Sequence, residues 1–287
     1  HLAVGKDTGG YGSTTFEVWQ SVANNKILIP RYTPLLPELL KHKQFAINLE
    51  SKNFGEPNTR FQWSPDKPLH DVQKPGADKA FEALKTQRGC LIKGDTGSGK
   101  TVIGLNMIYR FQPKTALVLV DQLDIAKQWA DRIREFMPST RIEFLVPKKE
   151  AMLMMAKLAP IVGTPSDGVI YIGTAQSMHR TTQYSFNNPL CVEMLLCDEV
   201  HVFGAPTFIS CLYKINYALS IGLTATDDRK DGLDWVFRQA LGVSVVEFAG
   251  KVWSLVVIQL FAPDCGLRSE EWQMAFCQLK HRMACLA

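Results

Sequence analysis

Gly94-Asp95-Thr96-Gly97-Ser98-Gly99-Lys100-Thr101 is the stretch from which the fold of this chain can be read. It fits the pattern G-x-x-x-x-G-K-[ST]. The apolar run Cys90-Leu91-Ile92 stands before it, and Val102-Ile103-Gly104-Leu105-Asn106-Met107-Ile108, which can form a helix, follows it. Strand, loop and helix in this order make a cradle for phosphate. The glycines let backbone N–H groups converge on phosphate oxygens without Cβ clashes, and the helix N-terminus adds partial positive charge. Lys100 is expected on the β- and γ-phosphates, and Thr101 is expected to offer its hydroxyl to Mg²⁺. Gly94, Asp95, Thr96, Gly97, Ser98, Gly99, Lys100 and Thr101 are therefore the candidate nucleotide-binding residues. The bland alternative, a chance glycine-rich turn, does not account for the flanking pattern.

Outward from the loop, apolar runs alternate with helical stretches. The runs are Ala116–Val120, Ile142–Val146, Val169–Ile172, Val192–Cys197 and Ala218–Ile221. Upstream, Ala77, Ala80, Phe81 and Leu84 share one face of a helix. Near-continuous apolar strands separated by helices predict an α/β fold, a mostly parallel sheet covered on both faces.

The run that ends at Cys197 leads into Asp198-Glu199-Val200-His201. Carboxylates at the tip of a buried parallel strand lie where open α/β sheets bind ligands. Asp198 is expected in the Mg²⁺ shell. Glu199 is expected to orient and deprotonate an attacking water, because metal charge neutralisation and water activation are separate tasks. An acidic N-cap ahead of Ala205 to Leu212 is the structural alternative. His201 is not read as a metal ligand, since no partner His or Cys stands at ligand spacing.

The 287 residues carry 32 Lys+Arg and 28 Asp+Glu, so 32 − 28 leaves a charge of +4, and 46% of residues are hydrophobic. This is a globular composition, compatible with a nucleic-acid partner but not demanding one. The length allows one large domain or two smaller ones. No apolar stretch approaches the roughly 20 residues of a spanning helix. The 7 cysteines are scattered, with no zinc-knuckle spacing, and read as reduced thiols of an intracellular protein. Residues 1–65 read as an accessory region: Phe16–Trp19 and Lys26–Pro30 resemble short strands around an Asn24-Asn25 turn, and Leu35 to Lys43 a short helix. Phe54 to Pro68, with its Gly and Pro residues, reads as a linker. Residues 66–250 form the regular domain. Residues 251–287 read as a connection that includes a helix from Glu270 with Trp272, Phe276, Leu279 and Met283 on one stripe. The start at His1 and the unclosed last helix suggest part of a longer polypeptide.

Three further segments extend the pattern: Gln73 ahead of the first helix, Thr174-Ala175-Gln176-Ser177, and Gly222-Leu223-Thr224-Ala225-Thr226. With Asp198-Glu199-Val200-His201 they resemble the first RecA-like domain of superfamily 2 helicases and translocases. Gly222 to Gly232 is similar to the segment GLTATPxRxDG of the branch that contains the xeroderma pigmentosum group B helicase and phage or viral relatives. Ala205-Pro206-Thr207-Phe208 is similar to the same branch, and Lys26 to Arg31 faintly resembles a hairpin ahead of some phage and viral motors. Asp227 stands where that family usually has proline, Asp121 likewise, and Val200 replaces an alanine.

The resemblance implies ATP and Mg²⁺ as cofactors and nucleic acid, chiefly DNA, as partner. It implies that Gln73 contacts adenine and that Lys100, Thr101, Asp198 and Glu199 form the hydrolysis site. It gives His201, Thr224 and Thr226 the coupling of nucleotide to nucleic acid. Gln128-Trp129 and Thr174 fall in segments that line the nucleic-acid track; Arg229, Lys230 and Arg238 are candidate phosphate contacts, with a solvated basic face as the alternative. It also implies a second RecA-like domain that supplies arginine fingers, so residues 1–287 alone are expected to bind ATP and turn it over slowly. Repair, recombination or replication of DNA is the expected setting. The alternatives are the motor subunit of a restriction-type complex and a nucleotide-dependent DNA-binding switch that does not unwind.

Overall fold

The computed structural model describes residues 60–163, 166–185, 188–201, 205–225 and 234–248, together with four short strands near the N-terminus. Those strands are β1 (Ala3–Val4), β2 (Phe16–Glu17), β3 (Gln20–Val22) and β4 (Lys26–Leu28). β1 pairs antiparallel with β2, and β3 with β4. Lys26–Leu28 thus takes Gln20–Val22 as partner and not the expected strand Phe16–Trp19, of which Phe16–Glu17 pairs with Ala3–Val4. The helix read over Leu35 to Lys43 and the C-terminal helix lie outside the described residues.

The centre is a sheet of β5 (Gly89–Lys93), β6 (Thr115–Val120), β7 (Arg141–Leu145), β8 (Val169–Thr174), β9 (Leu190–Cys197), β10 (Ile215–Thr224) and β11 (Val245–Glu247). Its order is β11-β5-β10-β9-β6-β8-β7, and every pairing is parallel. This is the RecA-like α/β arrangement expected. β10 is longer than its apolar run, so Thr224 ends the strand where a loop was expected. β11 escaped the sequence reading because its three residues, two of them only partly buried or exposed, make no apolar run.

Period-two alternation divides the strand side chains between two cores. Ile92, Val118, Leu196 and Leu223 face one core, with Ala77, Leu84, Ile103 and Trp129 from the helices Lys74–Gln87, Lys100–Phe111 and Leu123–Phe136. Leu91, Leu117, Leu195 and Cys197 face the other, with Met178, Phe208 and Phe237 from Ala175–Arg180, Ala205–Leu212 and Asp234–Leu241. At about 25 cal/mol per Å² of apolar surface removed from water, these two interfaces are the main attraction holding the sheet.

The segment read as a linker is packed where it is described. Phe61 is 1% exposed, and Trp63 meets Phe136 with ring centroids 5.2 Å apart. A Cβ on Gly168 would lie 2.5 Å from the Phe61 ring, which explains the glycine ahead of β8. Cys90, Cys197 and Cys211 are buried free thiols, and Cys191 is exposed. Burial pushes the Cys90 and Cys211 thiols up to about 12, so they stay protonated and inert at neutral pH. No helix among the described residues is long and apolar enough to cross a membrane.

Candidate functional site

The loop 94–101 leaves the C-terminal end of β5, at the same rim as the ends of β10 and β9. Gly97 and Gly99 adopt φ of 80° and 96°, which L side chains rarely take. Nothing lies within 4 Å of a Cβ placed on Gly97, so its backbone faces open space. At Gly99 a Cβ would fall 2.0 Å from Gln73 Nε2. The missing side chain is what lets Gln73 lie against the loop.

Gln73 is 5% exposed and precedes the helix Lys74–Gln87. Its Oε1 accepts from His70 N–H at 3.1 Å. Ser98 is buried, and its Oγ has no hydrogen-bond partner among the described residues. Lys100 opens the helix Lys100–Phe111, and its Nζ donates to Gly94 O at 2.8 Å and Asp95 O at 3.2 Å. The ammonium is thus drawn over the loop. Thr101 follows, half-buried, and Asp95 and Thr96 are exposed.

Asp198 and Glu199 sit just past β9. Asp198 N–H donates to Leu119 O of β6 at 2.9 Å, so sheet pairing runs one residue beyond the strand and fixes the carboxylate at the rim. Asp198 is 8% exposed. Trp129 Nε1–H donates to its Oδ2 at 2.7 Å and Glu199 N–H to its Oδ1 at 3.0 Å. Burial holds the Asp198 carboxyl above the usual carboxylate range, opposed by the Trp129 hydrogen bond.

Glu199 turns through a left-handed φ of 46°, rare for a residue with a side chain. The turn places Glu199 Oε1 3.7 Å from Lys100 Nζ. Glu199 Oε2 lies 3.3 Å from His201 Nδ1, which is 2.9 Å from Thr224 Oγ1. Thr224 O in turn accepts from Gly94 N–H at 3.1 Å. Lys100, Glu199, His201 and Thr224 therefore form one chain of contacts across three strand ends and return to the loop.

Other candidates lie elsewhere. Thr174 ends β8, and its hydroxyl caps the helix Ala175–Arg180, accepting from Ser177 N–H at 3.1 Å. Gln128 is exposed on the helix Leu123–Phe136. Trp129, its neighbour, is 1% exposed and points into the core. Thr226, Arg229 and Lys230 lie outside the described residues. Two site neighbours were missed in the sequence. One is the Trp129 contact with Asp198. The helical stripe Ala126, Trp129, Ala130 and Ile133 marks Trp129 as buried but does not reveal a partner in another strand. The other is Phe248, whose ring lies 2.6 Å from a Cβ placed on Gly94, backing the loop.

The residues fit a Mg²⁺–nucleoside triphosphate. The glycine cradle, the orphan Ser98 hydroxyl and the covered ammonium suit phosphate oxygens. Among the described residues no three His, Cys, Asp or Glu converge on a metal-sized site. Mg²⁺ needs no such cage, being held by one or two protein oxygens with phosphates and waters. Thr101, in the first turn of the helix Lys100–Phe111, and Asp198, just past β9, carry the oxygens that the sequence offered for this role.

The family model described as "Type III restriction enzyme, res subunit" matches residues 66–229. The protein named "Putative helicase 109L" of Invertebrate iridescent virus 3 is 25% identical over 179 residues, covering 62% of this chain and 51% of that protein. "Probable helicase D10" of Escherichia phage T5 is 28% identical over 162 residues, covering 54% of this chain and 30% of that protein. The chain thus spans about half or less of the length of these relatives. The crystal structure of the UvsW helicase from bacteriophage T4 superposes with a TM-score of 0.49 at 16% identity, covering 81% of this chain and 82% of that one.

Proposed function

This chain belongs to the family of the type III restriction enzyme res subunit, and from that premise we propose that it is the ATP-binding half of a DNA helicase or translocase. The carrying observation is the meeting of Lys100 and Glu199, 3.7 Å apart, between a glycine cradle and a fixed aspartate. Within this reading, loop N–H groups and Lys100 bind the β- and γ-phosphates. Thr101 and Asp198 hold the metal, and Gln73 meets the base. A Mg²⁺ held by these residues would neutralise phosphate charge. Glu199 Oε1 or Oε2 takes the proton of the attacking water. The contact chain Glu199–His201–Thr224 links that carboxylate to β10, and through Thr224 to the segment carrying Thr226 and Arg229. That segment, with Gln128 and Thr174, is assigned to the nucleic-acid side, and residues 66–250 to the motor domain. On the likeness of Gly222 to Gly232, this reading places the chain in the branch that contains the xeroderma pigmentosum group B helicase.

The test is ATP hydrolysis by the intact gene product with single-stranded DNA, duplex DNA, forked DNA and RNA side by side. Stimulation by DNA above RNA is expected. Hydrolysis indifferent to every nucleic acid overturns the motor reading and leaves a nucleotide switch. The family description favours one second reading, the motor subunit of a restriction complex. Copurification of a nuclease subunit with the intact protein distinguishes it.

A further inference from the structure

We propose that Trp129 is a positioning residue for the metal site: its indole N–H fixes the plane of the Asp198 carboxylate, and hence which of its lone pairs face Mg²⁺. This rests on the reading above of Asp198 as a metal-holding group.

Trp129 is 1% exposed, and its one polar hydrogen goes to Asp198 Oδ2 at 2.7 Å. The ring itself is held. Gly104, on the helix that begins with Lys100, lies beside it: a Cβ there would be in ordinary contact with Trp129 Cη2 at 3.4 Å and tight against Leu196 Cδ2 at 3.0 Å. Trp129 is therefore wedged between the helix that carries Lys100 and Thr101 and the strand that carries Asp198. The second oxygen, Oδ1, takes the Glu199 N–H at 3.0 Å. Two donors from different elements thus grip the two oxygens. Each oxygen has two lone pairs, so each keeps one for a metal or its water.

The chemistry of the donor matters. A buried carboxylate needs hydrogen bonds, yet a Lys or Arg here would compete with Mg²⁺ for the same charge. A neutral indole N–H satisfies the anion and leaves its charge for the metal. Groups that orient a ligand from one step out typically change metal affinity by about 10–100-fold when removed. The inference also gives a buried aromatic in the helix bearing exposed Gln128 a direct bond to the metal carboxylate.

The experiment measures affinity of the full chain for a non-hydrolysable ATP analogue by calorimetry, once with Mg²⁺ and once with EDTA. The ratio of the two is the coupling between metal and nucleotide. For Trp129→Phe the ratio is expected to fall about 10-fold or more, with affinity in EDTA unchanged. Replacement of Trp129 by 3-benzothienylalanine, which has sulfur in place of the N–H and the same ring shape, is expected to give the same loss without a cavity. An unchanged ratio in that folded isostere overturns the inference, and so does an equal fall of affinity with and without metal. Asp198→Asn separates the two levels. If it abolishes the ratio while the isostere keeps it, the role of Trp129 fails alone. If Asp198→Asn also keeps the ratio, the assignment of the metal site fails.

Discussion

Lys100 and Glu199 divide binding from chemistry at the residue scale. The Lys100 ammonium is held over the loop by two of its carbonyls, so its loss removes a buried cation from the cradle and two hydrogen bonds that shape the loop. Lys100→Ala is expected to weaken ATP binding by at least about 100-fold, of the order of the 1.5–3 kcal/mol given for a hydrogen bond to a charged group, taken more than once. Glu199→Gln keeps the shape and the left-handed turn but cannot accept a proton, so ATP binding is expected to persist while turnover falls about 10²–10⁴-fold. Equilibrium binding and single-turnover hydrolysis check both, and normal hydrolysis by Glu199→Gln removes it as the base.

At the scale of elements, the joint between the helix Asp234–Leu241 and β11 leaves no room for a side chain at Gly242. Gly242 has φ of 139°, and a Cβ there would sit 2.4 Å from Gly89 C and 2.6 Å from Cys90 N. Both neighbours are backbone of β5, the strand that launches the phosphate loop. Gly242→Ala must therefore strain φ and push β11 from β5, at a cost of about 1–3 kcal/mol or more. For a fold of this size each kcal/mol moves the melting midpoint by about 2–4 °C, so a drop of several degrees is expected in thermal unfolding. Phe248 follows β11 and backs Gly94, so the same variant should also loosen nucleotide binding. A midpoint unchanged from wild type contradicts this packing.

For the molecule as a whole, the proposed track runs over phosphates, with a net charge of only +4. Affinity for DNA should then come from local contacts and counterion release. Log Kd is expected to change linearly with log salt concentration, with a slope of about 0.9 per phosphate contact on duplex and about 0.7 on single strands. Titration of the intact protein against labelled DNA at several salt concentrations measures it. A salt-independent affinity argues against tracking along the backbone.

The sequence by itself determined the alternation of strand and helix, the parallel sheet and the cradle. Each of these rests on local patterns: apolar runs, glycine spacing around Lys100, and acids at the end of a run. It put Trp129 in a segment lining the nucleic-acid track, whereas the indole is buried at 1% exposure. Only the tertiary structure decided what that indole meets, that Thr224 closes a contact chain from Glu199 back to Gly94, and that β11 and Phe248 support the loop. The physical reason is distance along the chain. Periodicity tells which way a side chain faces, but partners 69 residues apart, as Trp129 and Asp198 are, meet through strand order and packing alone.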